Sequence, residues 1–155
     1  MARLNIRTEE DPILRKTSRE VTEITPRILQ LLDDMQETMH AANGCGLAAV
    51  QVGVLRRVVL VEVDDVLYEM INPRILAKSG TQEETEGCLS LPGKWGITRR
   101  PAKVTVEATD RNGNVYTVTG EDLLARAFCH ELDHLDGKLY TDVAIEMLGP
   151  DDVED

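Results

Sequence analysis

Residues Cys129-His130-Glu131-Leu132-Asp133-His134-Leu135-Asp136-Gly137 contain the pattern His-Glu-x-x-His, and no other stretch narrows the possible folds so far. On an α-helix, residues four apart lie one turn apart and are rotated by only about 40°. The two imidazoles then point the same way and can close on one metal ion. Glu131 falls about 100° from His130 and about 60° from His134 on such a helix. It stands beside the ion without ligating it, where a general base belongs. A charged helix with two unrelated histidines is the plainer alternative, but the chain has only three histidines and two of them are here.

Such a helix needs a core around it. The 155 residues, 42% of them hydrophobic, suffice for one domain with a sizeable core. It is expected over residues 1–150, followed by an acidic tail at 151–155. The apolar runs are too short to span a membrane, and Met1-Ala2-Arg3-Leu4-Asn5-Ile6-Arg7 lacks the apolar centre of a signal peptide. Both point to the cytoplasm. Three widely spaced cysteines suit a reducing compartment better than a disulfide framework. The net charge of −11 argues against a nucleic-acid surface, which needs a basic footprint, and favours solubility.

Asp11-Pro12-Ile13-Leu14-Arg15 predicts a short capped helix. Thr25-Pro26 opens a longer one, in which Ile28, Leu31, Leu32, Met35, Met39 and Ala42 recur at spacings of three and four as a buried stripe. Asn43-Gly44 ends it. His40, near that end, reads as a partly exposed residue favoured by the helix dipole rather than a ligand. In Gly44-Cys45-Gly46-Leu47-Ala48-Ala49-Val50-Gln51 the two glycines let the backbone approach something closely. Residues 57–63 predict a strand, Asp64-Asp65 its turn and residues 66–71 the return, ended by Asn72-Pro73. Residues 74–86 read as extended. Gly87 and Pro92 frame a short special segment. Residues 103–109 alternate and pair, through the turn Asp110-Arg111-Asn112-Gly113, with residues 114–119. The metal helix is predicted over residues 121–136, with Leu123 and Ala127 on the face of His130 and His134. Residues 140–148 predict a last short helix, stopped by Gly149-Pro150. There is no repeat and no linker.

A catalytic site needs a third ligand and an open position. One peptidase class places a histidine six residues after the second, and Tyr140 stands there. Another uses a distant glutamate; Glu154 lies in the acidic tail and Glu146 is too close. Upstream, Cys129 leaves the helix about 100° from His130 and reads as a packed core thiol. Cys45 and Cys88 both sit in glycine-framed segments. Cys88 has the better surroundings, with Glu86 and Gly87 beside it and Pro92 keeping the backbone extended, but the chemistry leaves both open. One thiolate and two imidazoles would hold Fe²⁺ or Zn²⁺ and leave a fourth position for water.

Three segments, in order, resemble peptide deformylase: Gly44-Cys45-Gly46-Leu47-Ala48-Ala49-Val50-Gln51, Glu86-Gly87-Cys88-Leu89-Ser90, and His130-Glu131-Leu132-Asp133-His134-Leu135-Asp136-Gly137. The likeness extends from the Asp11-Pro12 segment to the last short helix. It implies an α+β fold, with antiparallel or mixed β-sheets packed around the central metal helix. It also implies Cys88 as the ligand beside His130 and His134. The family often has Gln where Cys129 stands, and an aliphatic residue at Cys45. The chain ends soon after residue 148, without the longer C-terminal helix by which some members are thought to dock on the ribosome, so that docking mode does not carry over.

The resemblance further implies hydrolysis of the N-formyl group of formyl-methionyl nascent chains, met at the ribosome exit, to formate and a free amine. A divalent metal would lower the pKa of its bound water, and Glu131 would take the water proton and deliver it to the amine. The oxyanion donors implied are the Gln51 side-chain amide and the Leu89 N–H. Asp133 is implied to pair with Arg100 and brace the helix. Leu123, Ala127, Cys45 and Glu86 are candidate walls of a methionine pocket. The peptide is expected to add as a strand beside Gly44–Gly46 and Gly87–Leu89. The family leans to Fe²⁺; the donor set also accepts Zn²⁺, Ni²⁺ or Co²⁺. A monomer is the default. Two rivals remain: a small metallopeptidase cutting internal bonds, and a structural metal domain closed by Cys45, which would give Glu131 and Gln51 no task.

Overall fold

The run Val58-Val59-Leu60-Val61 is apolar on both faces of a strand, so it must be covered on both sides. In the computed structural model, which describes residues 2–149, this is what occurs. The strands are β1 (Gly46–Ala48), β2 (Val58–Val63), β3 (Val66–Ser79), β4 (Gln82–Cys88), β5 (Leu91–Arg100), β6 (Lys103–Thr109), β7 (Val115–Glu121) and β8 (Ala144–Met147). The helices are α1 (Pro26–Ala41) and α2 (Asp122–Leu135). Val58 and Leu60 pack with Leu31, Leu32 and Met35 of α1, while Val59 and Val61 pack with Ala125, Phe128 and Leu132 of α2. Pro150 and the expected acidic tail at 151–155 lie outside the described residues.

Two antiparallel sheets result, in the orders β1-β2-β3-β6-β7 and β4-β5-β8. β1 is an edge of the first and β4 an edge of the second. The core lies between α2 and the larger sheet, closed by Val104, Val106 and Ala108 of β6. The other side of α2 meets β4 and β5 through side-chain bonds described below. A helix covered on both sides carries little polar surface, and nine of its residues are buried, from Ala125 to Leu135. The expected α+β fold around a central helix is the observed one. No described helix is long and apolar enough to cross a membrane.

Local chemistry sets the elements. Thr25 caps α1 by accepting from the Ile28 N–H, with Pro26 next. Ile28, Leu31, Leu32, Met35 and Met39 are buried as the spacing predicts; Ala42 is the cap and only half-buried. Asp11 caps a 3-10 turn, Pro12–Arg15. Asp64 and Asp65 both adopt left-handed backbone (φ 55° and 63°), the signature of a two-residue hairpin turn.

Two expectations need correction. Asn72-Pro73 does not end a strand: β3 runs on to Ser79, with a register break between Ile71 and Arg74. Asn72 is left-handed (φ 51°), and its amide exchanges two 2.8 Å hydrogen bonds with the Val21 backbone, so the break is held as a bulge. Residues 140–148 are not a helix but a 3-10 turn, Tyr140–Asp142, followed by β8, whose pairing with β5 decides the matter.

Candidate metal centre

Two spacings meet at the site. On β4, Glu86 and Cys88 are two residues apart and share a face, separated by about 6.6 Å along the strand. On α2, His130 and His134 are one turn apart, about 6 Å along the axis. The strand lies against the helix so that the two pairs match. Glu86 Oε1 is 2.8 Å from His130 Nδ1, and Cys88 Sγ is 3.4 Å from His134 Nε2. The Cys88 thiol and one nitrogen of each histidine all lie within 4.8 Å of one another. Cys45 is not in this cluster, and His40 pairs with Glu62 at 2.5 Å on the surface. Cys129 is packed in the core beside Leu132 and Ala125.

The donor set fits a borderline divalent metal. Glu86 occupies Nδ1 of His130 and so leaves Nε2 for an ion, the usual second partner of a ligating histidine. Glu86 itself is satisfied on both oxygens, by His130, by Arg100 (2.9 and 3.1 Å) and by the Thr98 hydroxyl. Burial works to raise its pKa, but these hydrogen bonds outweigh burial and hold it at about 2. Burial also opposes charge on His130, yet bonds to Cys88 and Glu86 hold its pKa well above the ordinary value. Burial, with the charges of His130 and Arg100, holds His134 well below it.

Arg100 is only 6% exposed and reaches past Glu86 to Asp133 at 2.6 Å. The expected Asp133–Arg100 pair is present, as one arm of a larger network. Removing Arg100 would leave Glu86 buried without its cation. Arg100→Ala should therefore destabilise the protein by about 3–5 kcal/mol and weaken metal retention, read by denaturant unfolding and metal analysis after dialysis. Wild-type behaviour in both would refute the bracing role.

Glu131 is buried, and Oε1 has no partner among the described residues. Burial is the main reason its pKa is pushed up to about 7. Gly46 makes room for it: a Cβ there would collide with Oε2. Gln51 sits in the 3-10 turn Ala49–Val52 and is fixed at both ends of its amide. Oε1 accepts from the Ala48 N–H (2.9 Å), and Nε2 donates to Ser90 Oγ (3.0 Å) while lying 3.6 Å from Cys88 Sγ. Leu89 follows Cys88 in the tight turn between β4 and β5, where Cys88 pairs with Leu91.

These groups open onto a cavity of about 420 Å³ lined by Gly44, Cys45, Gly46, Gln51, Glu86, Gly87, Cys88 and Leu89, and by Leu123, Ala127, His130 and Glu131 of α2. Every expected wall residue is there. Leu123 is 45% exposed, so it is no plain core residue. Cys45 is exposed as a residue, yet desolvation of its thiol against the cavity wall, with the charge of Glu131, raises its pKa. Sequence reasoning missed three parts of the site: the Glu86–His130 bond, the Ser90 hydroxyl on Gln51, and Tyr140. Tyr140 is buried with its ring stacked on His130 (centroids 5.9 Å apart, planes at 21°). The alternation of Glu86 with Cys88 was a signal for the first; nothing local announced the other two.

Residues 3–148 match the polypeptide deformylase family model. The chain is 56% identical over 149 residues to the peptide deformylase of Acetivibrio thermocellus, covering 96% of this chain and 88% of that one. It is 51% identical over 154 residues to that of Caldanaerobacter subterraneus, covering 99% and 97%. Among solved structures, the peptide deformylase of Thermotoga maritima superposes with a TM-score of 0.90 at 34% identity, covering 93% of this chain and 99% of that one. A peptide deformylase of Synechococcus elongatus in complex with actinonin gives a TM-score of 0.88, also at 34% identity, covering 91% and 78%.

Proposed function

The chain belongs to the polypeptide deformylase family, and from that premise we propose how it removes the N-formyl group from formyl-methionyl peptides. Cys88, His130 and His134 would hold one divalent metal, whose chemistry when bound is to acidify water and polarise the formyl oxygen. Glu131 is the general base: its unpartnered Oε1, buried at the cavity floor, takes the water proton and returns it to the departing amine. Gln51 Nε2, with the Leu89 N–H, donates to the oxygen of the tetrahedral intermediate. Glu86 fixes the His130 ring, and Arg100 and Asp133 hold Glu86 and the helix in place. The convergence of one thiol and two imidazoles within 4.8 Å, with an unpartnered buried carboxylate beside them, carries this reading.

The methionine side chain enters the pocket walled by Leu123, Ala127, Cys45 and Glu86. The peptide backbone lies between the free edges of β1 and β4, at Gly44–Gly46 and Gly87–Leu89. Iron is the proposed native metal, the cytoplasm the compartment, and nascent chains at the ribosome exit the source of substrate. Residues 1–150 act as one catalytic unit, and the family match over residues 3–148 supports this.

The test is an anaerobic assay of metal-loaded protein on formyl-Met-Ala-Ser, following formate. Folded protein that releases none would overturn the reading. Iron-loaded protein should lose activity in air; equal, oxygen-insensitive activity with zinc would remove the case for iron. Gln51→Ala should lower kcat about a hundredfold to a thousandfold, the usual effect of deleting one oxyanion donor, with metal content unchanged. A loss confined to KM would remove Gln51 from that role.

A further inference from the structure

The net charge of −11 conceals one patch of different character. Arg19, Arg27 and Arg56 line a depression of about 400 Å³ at the start of α1, with Thr22 and Thr25 beside them. It shares no residue with the metal cavity. Elsewhere arginines are neutralised: Arg57, Arg99 and Arg111 each pair with a carboxylate. Among the described residues these three have no carboxylate within ion-pair distance, in a chain with 28 acidic side chains against 17 basic ones. Arg56 reaches only the Leu55 carbonyl, at 3.1 Å.

Each of the three stands where electrostatics disfavours it. Arg19 and Arg56 face each other across an isolated parallel bridge, so their side chains leave the same face. Like charges directly opposite are destabilising. The backbone fixes them there. The Arg19 N–H donates to the Leu55 carbonyl (3.1 Å) and the Arg57 N–H to the Arg19 carbonyl (2.8 Å), while the Asn72 amide holds Val21. Arg27 is the second residue of α1, where the positive end of the helix dipole repels a cation. Glu20 and Glu23 border the depression, yet neither pairs with any of the three. The Thr25 hydroxyl accepts from the Ile28 N–H and keeps its own proton to donate. Three uncompensated guanidinium groups held together against their repulsion suit a bound anion. Their forked donors match the oxygens of a phosphate group.

We propose that Arg19, Arg27 and Arg56 form a phosphate-binding site, separate from the metal centre, for a phosphate group carried by a small molecule or by an RNA backbone. The site does not depend on the deformylase reading, and its occupation leaves the metal cluster, Glu131 and Gln51 untouched.

The test titrates metal-loaded wild type with inorganic phosphate, ADP, adenosine and a short RNA duplex, read by calorimetry and by melting temperature. The Cys88→Ser protein is titrated in parallel, to set apart phosphate that lands on the metal. Phosphate-bearing probes should bind and raise the melting temperature, adenosine should do neither, and Cys88→Ser should bind as wild type does. Arg19→Gln and Arg56→Gln should each weaken binding about tenfold, the scale of one hydrogen bond to a charged group, with kcat/KM on formyl-Met-Ala-Ser unchanged. Without ligand, Arg19→Gln should melt at or above wild type, because the like-charge pair across the bridge is relieved; an arginine with only a structural task would lower it. Glu23→Gln should tighten binding by removing a repelling charge. Tight binding of RNA, with a slope of log K against log salt of roughly −2 to −3 that falls by about one in Arg19→Gln, would identify the backbone of RNA as the source. Equal affinity for ADP and RNA would identify a single phosphate group. No binding of any phosphate probe, binding that survives both arginine substitutions, adenosine bound as well as ADP, or binding lost in Cys88→Ser would overturn the proposal.

Discussion

Glu131→Gln should lose about a hundredfold to ten-thousandfold in kcat, the span of a general acid–base group, while keeping its metal and its fold. The amide fills the same space beside Gly46 but cannot take a proton from water. Stability should move the other way. The folded-state pKa of Glu131 lies above its ordinary 4.5, at about 7, so the folded chain binds that proton more tightly than the unfolded one. In the metal-free protein, stability contributed by this group is then present at low pH and declines as pH rises from about 4.5 to about 7. Glutamine escapes the decline. The metal-free variant should melt at or above the wild-type temperature at pH 8, with the difference shrinking toward pH 5. A carboxylate that melts the protein when removed would be structural; one that slows turnover and leaves melting level or raised is a base placed at some expense to the fold. Full activity in the variant would remove Glu131 from the mechanism.

Cys88→Ser should abolish both metal binding and turnover. The two imidazoles that remain come from one turn of α2, and a serine hydroxyl is not a thiolate at neutral pH. Loss of an outer partner of a ligand lowers affinity roughly 10–100-fold; loss of the ligand should exceed that. Dialysed variant should hold little metal, and formate release should fall below detection. The circular dichroism spectrum should stay near wild type, because Cys88 closes β4 at a register break and is only half-buried. The outcome also separates the rival readings. A metallopeptidase with another third ligand would keep metal and activity. A structural site would lose fold and metal together.

The site is legible in the sequence as far as the range of each interaction allows. His130, Glu131 and His134 were legible because all three lie within five residues of one helix, where a single periodicity relates them. Cys88 was not singled out by chemistry, since Cys45 had a similar glycine frame; the family resemblance separated them. The bond from Glu86 to His130 joins a strand step to a helical turn, and no pattern within either segment contains the other. Asn72-Pro73 carried a stop signal that tertiary contact with Val21 overrode. Residues 140–148 depart from the expected helix, and Val143, Ile145 and Met147 do alternate. The run is short, and the strand forms because β5 offers an edge.

The free edges of β1 and β4 have a cost outside catalysis. An unpaired strand edge invites pairing with any extended chain, including a second copy of the protein. β4 answers this with its composition. Glu84 stands exposed along it, beside a Glu83 that pairs with Arg99, so two copies meeting edge to edge would oppose like charges at Glu84. Its register breaks between Glu86 and Cys88, which bends the part nearest the cavity out of line with a flat partner. A short peptide end without acidic side chains meets neither obstacle. The strand thus works against pairing with its own copies, while the proposed binding mode uses one short stretch of the edge for a single chain terminus.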